Sequence, residues 1–343
     1  MEIEFITLNK ARNVTLTAYI QPVGGEFPNI KKRPAILVLP GGGYRFCSDR
    51  EADPVAIPYL KAGYQAFILR YSVGADATWP HPLDDYDLAM ETIIGKSEEW
   101  HVLVNKIAIV GFSAGGHLAG AAATLSKHRP AAAILGYPAV SFETVDMCLS
   151  SAPDVPGAVD YNTCPCFIFT TRDDRTVHVS NIIAMIDALD KYGVAFESHI
   201  YAYGPHGYST GDASVLAPDT LICDRAGQWV ADSLAWLNDM LGGFGEGQMT
   251  EPRCPARIND DGGKYLSADC SLGYLMGQAQ AKSIIEPLIE AIMERQTREN
   301  RTELLNYAKK MRLCDALAAN KVSAEYAEGI DERLRAIAAL LPF

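Results

Sequence analysis

The sequence predicts an α/β protein, with a mostly parallel central sheet covered by helices on both faces and a small helical domain at the C-terminal end. Three observations support this. Short apolar runs near 34–39, 65–71, 106–110, 131–136, 165–171 and 195–202 alternate with longer helical stretches near 53–63, 83–100, 114–126, 179–192 and 220–241. Parallel neighbours need a crossover, usually a helix, and strands covered on both faces lose their polar alternation. The pattern then breaks at Gly242-Gly243-Phe244-Gly245-Glu246-Gly247, a hinge-like run. Beyond it come three helical patterns, at 279–296, 301–319 and 323–341.

The first elements differ from the rest. Glu2 to Leu8 and Val14 to Ile20 alternate with period two. Val14, Leu16, Ala18 and Ile20 fall on one face, and Thr15, Thr17 and Tyr19 on the other. A hairpin at an antiparallel edge of the sheet is expected. Of the later helices, that at 279–296 carries a stripe of Ile284, Ile285, Leu288, Ile289 and Ile292. The segment from Gly242 to Gly277 has no clear period, and Asp261-Gly262-Gly263 reads as a turn. The domains expected are thus 1–242 and 250–343.

At 343 residues and 48% hydrophobic content the chain can bury a large core. No run of 18 apolar residues exists, and Met1 to Phe5 lacks the basic and apolar regions of a signal peptide. The expectation is a cytoplasmic protein with no membrane partner. The net charge is -12. From Thr250 onward there are 13 basic and 14 acidic residues, so nearly all the excess lies in the first 249. An acidic body argues against nucleic acid and suits a neutral substrate. The near-neutral C-terminal part favours self-association, so it is expected to form either a homodimer contact, the preferred reading, or a lid over the pocket rim. Eight cysteines show no C-x-x-C pair, and no metal or cofactor is expected. Cys164-Pro165-Cys166 is the one close pair, read as alternating positions on opposite faces of a strand.

The chemistry concentrates in Gly111-Phe112-Ser113-Ala114-Gly115-Gly116, between an apolar strand and an Ala-rich helix. A serine hydroxyl is a poor nucleophile unless it is exposed, beside a base and near N–H donors. A sharp strand-to-helix turn with small neighbours meets the first need, and the helix N-terminus favours a developing oxyanion. Ser113 is the candidate nucleophile. Of seven histidines, His206 lies in Gly204-Pro205-His206-Gly207 just after the last strand, where a base can overhang the strand ends. His199 lies within that strand, His117 on the elbow helix, and the others have no supporting context. The loop after 165–171 holds Asp173 and Asp174. One would orient the imidazole, while the other would bond loop N–H groups.

These motifs resemble the α/β-hydrolase superfamily. Within it they are similar to serine esterases related to bacterial acetyl (xylan) and feruloyl esterases and to the hormone-sensitive-lipase-like group. The resemblance rests on P-G-G-G-Y at 40–44, G-F-S-A-G-G-H-L-A at 111–119, R-D-D-R-T-V at 172–177 and G-P-H-G at 204–207, and covers about residues 30 to 242. The chain order Ser, Asp, His is that of the superfamily. Its D-x-x-V pattern selects Asp174, with Val177. It also implies oxyanion donors at Gly42, Gly43 and Ala114. Many relatives begin the Gly-rich turn with His, where this chain has Pro40.

The resemblance implies a carboxylic ester hydrolase that acts on short acyl esters through an acyl-serine. Acetylated sugars or xylo-oligosaccharides are the implied substrates, and no cofactor is needed. A prolyl-oligopeptidase-like peptidase shares the triad order but would bring a propeller domain. A non-catalytic ligand receptor on this fold would have no reason to retain all three residue types. Cys47 to Glu51 reads as a pocket lining or a solvated helix entry, and Trp79 as packing or a pocket wall. Asp84, Asp85 and Asp87 read as first-turn helix acids.

Overall fold

The computed structural model describes residues 1–146, 148–245, 248–256, 265–294 and 301–339. Its central sheet has eight strands: β1 Glu2–Asn9, β2 Val14–Ile20, β3 Arg33–Leu39, β4 Gln65–Arg70, β5 Val102–Phe112, β6 Ala132–Gly136, β7 Cys166–Thr171 and β8 Phe196–Tyr201. Their order is β1-β2-β4-β3-β5-β6-β7-β8. The β1–β2 and β2–β4 pairs are antiparallel, and all the others are parallel. The alternation read in Val14 to Ile20 is thus that of a strand with one covered face, and β2 alternates buried and half-buried residues along its length.

Helices α1 Asp53–Lys61, α2 His81–Gly95, α3 Ala114–Leu125, α4 Phe142–Val145, α5 Val155–Ala158, α6 Ser180–Lys191 and α7 Trp229–Leu241 complete the body. One apolar cluster lies on each sheet face. Leu37, Ile109, Leu118 and Ile168 belong to one, and Ile36, Val110, Phe167 and Trp236 to the other. Helix α3 is buried over nearly its whole length, which its run of Ala and Gly permits.

Several expectations need correction. Helix α7 begins at Trp229 rather than near 220, because Cys223 N–H donates to Tyr203 C=O and holds the preceding chain as a loop. Asp87 is not a first-turn acid, since α2 begins at His81 with only Asp84 in its first turn, and neither is Asp85. Asp85 is fully buried, pairs with Arg12 at 2.5 Å and accepts the Ser72 N–H at 2.8 Å. Cys164 and Cys166 both enter the same core cluster, since residues two apart on an extended chain share a face.

The C-terminal part is helical: α8 Leu272–Gly277, α9 Ala279–Met293, α10 Arg301–Ala308, α11 Leu313–Ala319 and α12 Ala324–Arg335. At the end of the body, β9 Phe244–Gly245 pairs antiparallel with β10 Gln248–Met249. The turn read at 261–263 and the helix ends read at 295–296 and 340–341 lie outside the described residues. The single helix expected over 301–319 is two helices. Residues 309–312 leave helical geometry because their backbone pairs with the start of α8: Gly273 N–H donates to Lys309 C=O and Leu272 N–H to Met311 C=O.

A third apolar cluster, including Leu275, Ile285, Leu313, Leu317 and Leu334, joins these helices. They meet the body at Tyr161, against which Gly277 of α8 packs so closely that a Cβ there would stand 2.5 Å from the ring. Tyr161 in turn stacks edge-on against Tyr192, and Lys310 pairs with Asp190. Tyr161, Asp190 and Tyr192 precede β7 and β8, so this contact lies at the N-terminal ends of the parallel strands. Ser113 and His206 follow the C-terminal ends of β5 and β8. The attachment is therefore at the opposite end of the sheet from the serine, which does not support reading the appendage as a lid.

Candidate active site

The elbow is built by close approach. Gly111 and Gly115 flank Ser113 because strand, helix and neighbouring turn leave no room for a side chain. A Cβ on Gly111 would stand 2.1 Å from Gly115 C=O, and one on Gly115 would stand 2.1 Å from Leu39 C=O. Ser113 itself has φ 52° and ψ -115°, a sparsely populated conformation for a residue with a side chain. Surrounding bonds hold it there. Its N–H donates to Gly136 C=O, and its own carbonyl accepts from His117 and Ala139 N–H groups.

His206 comes to this serine from the loop after β8. Its Nε2 lies 2.8 Å from Ser113 Oγ, and its Nδ1 lies 2.6 Å from Asp174 Oδ2. The carboxylate fixes the tautomer: Nδ1–H donates to Asp174, leaving Nε2 to accept from the serine O–H. Asp174 is 3% exposed, and its other oxygen accepts the N–H groups of Thr176 and Val177 at 2.8 and 2.9 Å. It is thus pinned on both oxygens. Asp173 turns away and accepts Gly204 N–H at 2.9 Å, tying its loop to the histidine loop.

The Gly-rich turn packs over the elbow. A Cβ built on Gly41 would stand 3.1 Å from Ser113 Cβ. Gly42 has φ +134°, and a Cβ there would fall 2.0 Å from Phe46 C=O, so only glycine fits. Gly43 follows with φ +60°, and Ala114 opens α3. The structure thus brings Ser113, His206, Asp174 and the 41–43 turn into one place.

Two buried groups support this place, and neither role was visible in the sequence. His117, on α3, accepts the Tyr44 O–H at Nδ1 (2.7 Å) and meets Pro153 C=O at Nε2 (2.9 Å). Burial pushes its pKa down from 6.5 to about 4, so the ring is neutral with Nε2 as its donor. Trp79 packs edge-on against that ring and is a core contact. Glu51, read only as part of a pocket lining or helix entry, is 4% exposed. It accepts Gly41 N–H at 2.8 Å and Tyr137 O–H at 2.5 Å. Burial pushes its carboxyl pKa upward. His199 lies elsewhere, beside Glu197 at 2.8 Å.

Fold and site together describe a hydrolase-type elbow on a mostly parallel sheet. Comparison with known proteins agrees. A family model, BD-FAE, matches residues 27–143. An α/β-hydrolase enzyme from a Medee basin deep-sea metagenome library is 42% identical, with a TM-score of 0.65, and the match covers 70% of this chain and 98% of that one. An acetyl ester-xyloside bifunctional hydrolase from Caldicellulosiruptor lactoaceticus is 28% identical, with a TM-score of 0.59, over 68% of this chain and 95% of that one. An acetylxylan esterase from Xylanibacter ruminicola is 29% identical over 204 residues, 52% of this chain and 41% of that protein. The chain spans 33% and 41% of the length of the two curated relatives it matches. The chain belongs to the α/β-hydrolase family.

Proposed function

We propose that the protein is a serine carboxylic-ester hydrolase acting on short acyl esters, with acetylated sugars or xylo-oligosaccharides as its substrate class. The observation that carries this reading is the continuous path from Ser113 Oγ through His206 to the buried Asp174, at 2.8 and 2.6 Å. In this mechanism Ser113 Oγ attacks the ester carbonyl while His206 Nε2 takes its proton. Asp174 stabilises the imidazolium. The N–H groups of Gly42, Gly43 and Ala114 bind the oxyanion, which carries charge only in the tetrahedral state. As the carbonyl–alkoxy bond breaks, His206 returns the proton to the leaving alcohol. Water, activated by the same imidazole, then releases the acid from the acyl-serine.

The sugar-ester part of the reading draws support from the similarity to an acetylxylan esterase and to an acetyl ester-xyloside hydrolase. It is tested with a panel of p-nitrophenyl esters from acetyl to decanoyl and with acetylated xylo-oligosaccharides, measuring released acid. Acetyl and propionyl esters should outperform chains of about ten carbons or more. A rise in kcat/KM with chain length would point to a lipase instead. Turnover confined to peptide amides would favour a peptidase, and binding without turnover a receptor. We also propose that residues 250–343 form an appended unit that supports a homodimer and contributes no catalytic group.

A further inference from the structure

Glu51 lies where two loops of the site meet, and its carboxyl group is used on both oxygens. One accepts Gly41 N–H, next to the turn at Gly42 and Gly43. The other accepts the O–H of Tyr137, whose oxygen accepts Ser209 N–H at 3.0 Å. Ser209 lies three residues beyond His206, and its own hydroxyl donates to Arg50 C=O at 2.5 Å, beside Glu51 in the chain. The Tyr137 ring stands edge-on to the His206 ring, with centroids 5.0 Å apart. Both bonds to Glu51 are donated to it, the pattern an ionised carboxylate accepts best. The charged groups near it are His206 and Arg50, with Tyr137 and Tyr71 the neighbouring phenols. His206 thus has two carboxylates near it, Asp174 in direct contact and Glu51 behind Tyr137.

We propose that Glu51 is a positioning residue: its buried carboxylate locks the Gly41–Gly43 turn to the histidine loop through Tyr137 and Ser209, and its charge favours the imidazolium of His206. The proposal rests on the esterase reading of Ser113, His206 and Asp174. A buried carboxylate is costly to keep ionised unless it is well bonded, and here its bonds fall on the two loops whose separation sets the reaction geometry. Small misplacements at such a site cost heavily, about 10²-fold for 1 Å.

The test compares wild type, Glu51→Gln and Tyr137→Phe for kcat and KM on p-nitrophenyl acetate between pH 5 and 9. NMR titration of the His206 ring accompanies it. Glu51→Gln should lower kcat by about ten- to a hundredfold, with KM nearly unchanged. It should also move the acid limb of kcat/KM, and the His206 titration, to lower pH, because a nearby negative charge is gone. Tyr137→Phe should lower kcat, with a smaller shift of the acid limb, because the charge remains. A Glu51→Gln enzyme with wild-type kcat and an unmoved His206 titration would overturn the proposal. If Glu51→Gln does not fold, Tyr137→Phe decides: a loss of kcat at constant KM supports the lock, and wild-type kcat overturns it. Absence of ester turnover in the wild type would sink the esterase reading instead. The NMR titration needs no turnover and still judges the charge effect of Glu51.

Discussion

Ser113→Ala should reduce ester turnover by about 10⁶-fold while leaving the fold intact, since the residual rate then comes from binding and oxyanion contacts alone. Turnover by a cleanly purified variant at a tenth of the wild-type rate would remove Ser113 from the mechanism. His206→Ala should be nearly as severe, and His199→Ala mild, because His199 bonds Glu197 on β8 rather than the serine. The two aspartates separate in the same way. Asp174→Asn should cost about 10⁴-fold in kcat, because the amide cannot hold the productive tautomer. Asp173→Asn touches only Gly204 N–H and should cost far less. The reverse ranking would shift the acid by one residue. His117 makes a different prediction. Its folded pKa of about 4 lies below the ordinary 6.5. The protein therefore keeps this ring's full contribution above pH 6.5 and loses it as the pH falls toward 4. By pH 5 the loss is about 2 kcal/mol. Urea unfolding of wild type and His117→Gln at pH 7.5 and pH 5 should show that difference. Parallel loss in both proteins would assign the acid sensitivity elsewhere.

Among the elements, the elbow and the Gly-rich turn depend on missing side chains. Gly42→Ala would force a residue with a Cβ to φ +134° and push it against Phe46 C=O. The expected cost is about 2 kcal/mol or more in stability, together with a large loss of kcat as the turn moves off the serine. A variant with wild-type melting temperature and turnover would show that the turn tolerates another path. The strands and body helices were readable because their patterns are local. Val14 to Ile20 alternates, Ala35 to Leu39 is uniformly apolar, and each pattern follows from how many faces are covered. The break between α10 and α11 was not readable. Residues 309–312 are good helix formers, and what stops them is pairing with residues 272 and 273, a contact no local window contains.

For the whole molecule, the relation of the appendage to the body can be tested by expressing residues 1–249. The attachment at Tyr161, Asp190 and Tyr192 lies away from Ser113, so the truncated protein should keep turnover of a small acetyl ester. It should also lose the proposed homodimer, as read by light scattering. A folded truncation with no activity on any ester would mean that the appendage completes the site. By itself the sequence determined the layered α/β body and the neighbourhoods of Ser113 and His206, because those signals are short-range: strand, tight turn, helix, glycine-flanked loop. It narrowed the acid to Asp173 or Asp174, and resemblance favoured the second. Only the tertiary structure decided which carboxylate faces the imidazole and that Asp85 answers Arg12 across the core. Only it showed that Glu51 meets Tyr137, 86 residues away in the chain. A buried polar group must find its partner wherever the fold brings one, and that partner leaves no mark at a fixed spacing in the sequence.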